Sequence, residues 1–168
     1  RSGGQLVEQV IHLIDLLRCF LGQPVAVYSR QANLFHRDVP DYTVEDVSGT
    51  VIDFANGALG VIAATNGAIP GQWIDQYHLV TRRLTVDFAD ANHARVAYTA
   101  EDPPRLEAIG EDRNHWRAAA ADFIAAVTEN RPARVPLREG ALTLALALAA
   151  AASAERRAEV PITPRAGG

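Results

Sequence analysis

Apolar residues at positions 6, 10, 13, 14, 17, 20 and 21 open the chain with helical spacing, and Gly22 follows as a C-terminal stop, so the pattern predicts a helix over Gln5–Leu21. After Pro24 the pattern shortens. Val25–Asn33 alternates loosely, a polar stretch with Pro40 and Asp41 interrupts, and Val47–Phe54 and Leu59–Thr65 flank Asn56-Gly57. That dipeptide tolerates positive φ at both positions and predicts a hairpin with a type I′ turn. Trp73–Val80, Arg83–Phe88 and Arg95–Thr99 add three short strands separated by polar breaks, and Pro103 and Pro104 end the run. Two helices follow, about Asn114–Glu129 and Arg138–Arg157, each stopped ahead of a proline. The order predicts an α+β fold: an open-faced, predominantly antiparallel sheet with helices packed on one face. The other face then needs a partner subunit, as in a homodimer or homotetramer.

Composition narrows the function classes. Sixteen basic and 20 acidic residues are scattered without blocks, for a net charge of -4, so neither nucleic acid nor an anionic membrane surface is an expected partner. The longest apolar run, Ala141–Ala152, is mostly alanine and reads as a buried helix rather than a membrane span, which takes about 20 residues. The single Cys19 forms no internal disulfide and no secretory leader opens the chain, which points to the cytoplasm. Methionine is absent, so Arg1 reads as a point inside a longer protein, and all 16 basic residues are arginine, as in a GC-rich, bacterial source. Chemistry that needs a lysine, such as a Schiff base, is excluded within these 168 residues.

Candidate chemistry sits on the first helix. Glu8, His12 and Asp15 stand at i, i+4 and i+7, so at about 100° per residue they fall within roughly 60° of one another, opposite the apolar face that anchors the helix. A fixed imidazole beside carboxylates suits proton transfer, because its pKa lies near working pH and a carboxylate sets its tautomer. The ordinary use of such a face is a solvated one with weak i, i+4 ion pairs. A metal site is disfavoured: Glu8 and His12 offer two ligands, but no second His or Cys cluster has ligand spacing. Cys19 lacks a neighbouring base and is set aside as a nucleophile. Tyr77, His78, Arg82, His115 and Trp116 read as structural, and the turn-rich Asn66–Gly71 stretch as a flexible connection.

The string Ser2-Gly3-Gly4-Gln5-Leu6-Val7-Glu8-Gln9-Val10-Ile11-His12-Leu13-Ile14-Asp15-Leu16-Leu17-Arg18 resembles the opening of the C-terminal domain of the glucose-fructose oxidoreductase, inositol dehydrogenase and rhizopine-catabolism (Gfo/Idh/MocA) family. Thr50–Phe54 with Asn56–Gly60 is similar to the family's strand, Asn-Gly turn and strand. Trp116–Thr128 and Arg138–Ser153 are similar to its last two helices. The resemblance implies a dihydrodipicolinate reductase/glyceraldehyde-3-phosphate dehydrogenase-like fold, with residues 1–168 forming one substrate-binding and oligomerising domain. It implies a parent NAD(P)-dependent oxidoreductase acting on a sugar, inositol-like polyol or related hydroxy compound. NAD or NADP would be held by an N-terminal Rossmann domain that this chain lacks, together with a catalytic lysine, so the chain alone is expected to be inert. His12 matches the family's proton donor or acceptor and Glu8 the carboxylate that orients substrate hydroxyls, in a position commonly held by the shorter Asp. Asp15 matches a support residue that caps or pairs within the fold. A non-catalytic binding or assembly module with the same fold is the alternative.

Overall fold

The computed structural model describes residues 3–163. Its elements run α1 (Gln5–Glu8), α2 (Ile11–Leu21), β1 (Pro24–Ala32), β2 (Val47–Phe54), β3 (Leu59–Thr65), β4 (Tyr77–Val80), β5 (Thr85–Phe88), β6 (His93–Tyr98), β7 (Arg105–Gly110), α3 (His115–Thr128), α4 (Leu137–Arg156) and β8 (Val160–Pro161). The class is α+β, and all the strand pairs described are antiparallel, as predicted. The strands divide between two four-stranded sheets rather than one, because alternation reveals which face of a strand is buried but not which strand it pairs with. Two compact units result, one built from the segments before Gly71 and after Arg134, the other from Gly71–Arg134.

The first unit carries the sheet β3-β2-β1-β8. Ile52 and Phe54 on β2, Val27 on β1 and Ile62 on β3 point to one face and are 5% exposed or less. Leu6, Val10, Ile14, Leu146, Ala147 and Ala150, from the three helices of this unit, close over them to complete the core. Burying a side chain the size of Ile or Leu contributes about 1.5–3 kcal/mol, so this layer decides how the helices sit on the sheet. A polar rung crosses it: Ser29 N–H donates to Ser153 Oγ on α4 (2.9 Å), and the Ser29 and Thr50 hydroxyls meet at 2.8 Å. The opposite face is open. Tyr28, Val51 and Val61 lie side by side in register across three strands and all are exposed. α4 is the one described helix long and apolar enough by length and composition to cross a membrane, and it packs instead on β1 and α2.

The second unit is the meander β4-β5-β6-β7 followed by α3. Val86 and Val96 are its buried strand residues. Asn114 caps α3 by accepting from Arg117 N–H (2.9 Å), and Asp122 ties down the segment beyond it by accepting from Arg131 Nη2 and Arg134 N–H, both at 2.9 Å. β7 stands where Pro103 and Pro104 predict that the sheet ends. Arg105 stacks over the Tyr98 ring at 3.6 Å and pairs with Glu107, which fixes that edge.

Candidate active site

The opening helix is broken where the periodicity predicts continuity. The amides of both Gln9 and Val10 converge on the Gln5 carbonyl, at 2.9 and 3.1 Å, and the second of these is an i to i-5 bond. One turn is therefore widened, as in a π-bulge, before α2 resumes from Val10. Apolar spacing cannot reveal this, since Leu6, Val10 and Ile14 are buried on either side of the break. The regular-helix offset between Glu8 and His12 does not apply across it.

Glu8 ends α1 on an exposed position, and its Oε1 accepts from Gly3 N–H at 2.8 Å. His12 is the second residue of α2 and is likewise exposed, so its imidazole is not part of the packed interior. Asp15 turns toward α4. It accepts from the Thr143 hydroxyl, which is itself 2.6 Å from Arg18 Nη1, and Arg18 also reaches the Glu139 carbonyl (3.0 Å) and carboxylate (2.7 Å). Thr143 is buried and the Arg18 side chain is 10% exposed, so this network fastens the His12 helix to α4. Cys19 is exposed. No group of three His, Cys, Asp or Glu side chains among the described residues is placed to hold a metal.

Sequence reasoning missed the residues that hold the first turn. α1 has no side-chain N-cap of its own; Glu45 supplies one from the segment before β2, its Oε1 accepting from Leu6 N–H at 2.7 Å. Gly4, at φ 85° and ψ 167°, lies directly under that carboxylate. Gln5 is buried, with its side-chain oxygen toward the Thr65 amide (3.0 Å) at the end of β3. Next to Glu45, Asp46 is fully buried. Burial opposes its charge, but N–H donors from Leu34, Phe35 and His36, together with the His36 ring, outweigh burial and lower its pKa from 3.8 to about 2. The only sequence signal for either residue was a pair of acids directly ahead of a half-buried strand.

The other polar residues singled out from the sequence fall in the second unit, in local roles. Tyr77 stacks on Phe88 at 4.5 Å and donates to the Asp90 carbonyl, and burial raises its phenol pKa, with Asp75 and Asp90 adding to the shift. His78 pairs across strands with Asp87, Arg82 lies exposed in the β4–β5 turn, and His115 tilts against Trp116 at the start of α3.

An antiparallel sheet with one face covered by helices defines the α+β class of the domain. The chain belongs to the GFO/IDH/MocA C-terminal domain family, whose sequence profile matches residues 1–114. Solved structures share the fold. Levoglucosan dehydrogenase in complex with NADH and levoglucosan is 19% identical with a TM-score of 0.84, over 96% of this chain and 50% of that one. An oxidoreductase domain protein from Kribbella flavida is 19% identical with a TM-score of 0.85, over 98% and 52%. The WlbA dehydrogenase from Bordetella pertussis, in complex with NADH and UDP-GlcNAcA, is 21% identical with a TM-score of 0.66, over 97% and 46%. The chain thus spans about half the length of these structures. No curated protein sequence matches it.

Proposed function

We propose that this chain is the substrate-binding half of an NAD(P)-dependent dehydrogenase acting on a sugar, polyol or related hydroxy compound, with His12 as the acid/base and Glu8 orienting substrate hydroxyls. The observation that carries the reading is the exposure of both groups at a widened turn whose underside is packed into the core. Rigid support with an exposed ring is what a proton-transferring imidazole requires, since it must reach the hydroxyl proton within about 2.6–3.2 Å. Asp15 acts as a support, holding α2 to α4 through Thr143 and Arg18.

On this reading NAD or NADP and the hydride chemistry belong mainly to a second domain, and the residues of this one bind, orient and move a proton. The open row Tyr28, Val51 and Val61 is the surface through which copies of the protein associate.

His12→Asn in the complete gene product tests the reading. General acid/base groups typically contribute 10²–10⁴-fold, so kcat should fall at least roughly 100-fold while the melting temperature stays unchanged. Full turnover by the variant would refute the assignment, and cofactor reduction by the 168-residue chain alone would refute the division of labour.

A further inference from the structure

Two carboxylates bracket the first turn of the chain. Glu8 Oε1 takes the Gly3 amide at 2.8 Å, and Glu45 Oε1, 39 residues away in sequence, takes the Leu6 amide at 2.7 Å. Between them Gly4 is so close to Glu45 that a Cβ there would stand 2.6 Å from Oε1 and closer still to Oε2. Glu8 depends on this glycine pair twice. Its backbone N–H donates to the Gly4 carbonyl (3.0 Å), and its side chain is held by the Gly3 amide. Whatever fixes Gly3–Gly4 therefore fixes where the Glu8 carboxylate stands.

Glu45 is itself firmly based. The next residue, Asp46, is fully buried and gathers the Leu34, Phe35 and His36 amides, while its own N–H donates to the Ala32 carbonyl (3.0 Å) and its own carbonyl accepts from Asn66 N–H (2.9 Å). The two acids act in opposite directions: Asp46 folds the 33–46 segment on itself, and Glu45 reaches from that segment to α1. A negative charge at the first turn of a helix is also favoured by the unpaired amides there.

We infer that Glu45 is a positioning residue for Glu8, clasping the Gly3–Gly4 turn so that the Glu8 carboxylate is presented at a fixed place. This rests on the reading of Glu8 as the substrate-orienting group. Glu45 touches neither substrate nor His12 in this scheme, so its loss should displace Glu8 and leave proton transfer intact.

The test uses Glu45→Ala and Glu45→Gln in the 168-residue chain, followed by amide hydrogen exchange and by the carboxyl carbon resonance of Glu8. Losing a charge-assisted bond should speed exchange at Leu6 and Glu8 about tenfold in Glu45→Ala, with the Val27 and Ile52 amides unchanged. Glu45→Gln retains an acceptor oxygen, so its change should be smaller, and it serves alone if the alanine variant does not fold. In the complete gene product Glu45→Ala should raise KM for the hydroxyl substrate about tenfold, leave the pH midpoint of kcat in place, and be largely rescued by Gln. Unaltered exchange and resonance at Glu8 would overturn the inference, as would an unchanged KM in an active enzyme. A wild-type gene product without dehydrogenase turnover would defeat the functional reading instead, and the exchange result would still decide the clasp.

Discussion

Gly4→Ala isolates the contact on which the first turn depends. Gly4 occupies a backbone region, φ 85° and ψ 167°, that is essentially reserved for glycine, and forcing alanine into it costs roughly 1–3 kcal/mol. The new Cβ also meets both Glu45 oxygens, so the carboxylate must leave and its bond to Leu6 N–H is lost, worth about 1.5–3 kcal/mol for an interaction with a charged group. Together these predict a loss of about 2.5–6 kcal/mol, or about 5–24 °C in melting temperature for a domain of this size. Gly57→Ala is the control, because Gly57 also has positive φ (82°) but nothing within 4 Å of an added Cβ, so it should cost only about 1–2 kcal/mol. Urea unfolding of Gly4→Ala, Glu45→Ala and the double variant forms a cycle. With Glu45 already truncated, Gly4→Ala should cost only its backbone share, giving a coupling of about 2 kcal/mol. Additive effects, or a Gly4→Ala no worse than Gly57→Ala, would show that the glycine is not there for Glu45.

Three further outcomes follow from other parts of the first unit. Asp46 titrates at about 2 when folded against an ordinary 3.8, so its contribution is complete above about pH 5 and is lost as pH falls through 4 toward 2; Asp46→Asn should flatten that limb of a stability-versus-pH curve. Thr143→Val keeps the shape of a buried side chain but removes the hydroxyl between Asp15 and Arg18, and should cost about 1–3 kcal/mol in chemical denaturation. Val61→Arg places a charge on the edge strand at one end of the open row, where Val61 is 67% exposed, and on the proposed association it should shift the protein to monomer in light scattering without lowering the melting temperature of the monomer.

Much of the fold was legible because burial imposes periods on the chain. The strands β1 to β3 and the helices α2 to α4 fall within a few residues of where the apolar pattern puts them. Failures came where no period exists to read. Every residue of β7 is exposed, so Arg105–Gly110 carries no inward alternation and reads as a linker. Asn56-Gly57 marked the hairpin, but Gly57 alone adopts positive φ. Its N–H returns to the Phe54 carbonyl (2.9 Å), which makes a three-residue loop with a glycine bulge in place of type I′. That arrangement lets the Asn56 side chain donate to the Leu21 carbonyl (3.1 Å) and accept from Ala58 N–H, tying the turn to the end of α2. At the site, Glu8 and His12 were visible as residue types, whereas Glu45, Asp46 and Thr143 act over 39, 10 and 128 residues of separation, which no local period encodes.

The widened turn at Gln9 and Val10 gives the two candidate groups separate foundations. Glu8 is held on the side of the break that Glu45 clasps, so its position is set by the 33–46 segment and ultimately by the buried carboxylate of Asp46. His12 stands on the other side, on a helix fastened to α4 by Arg18, Thr143 and Asp15 and to the sheet by Ile14. A continuous helix would couple the two, and any shift in one support would move both. With the turn widened, and on the roles proposed above, a change at Thr143 should bear on the imidazole and proton transfer, and a change at Glu45 on the carboxylate and substrate orientation. In the proposed dehydrogenase, that separation means the Glu8 carboxylate can be displaced through Glu45 without moving the His12 imidazole.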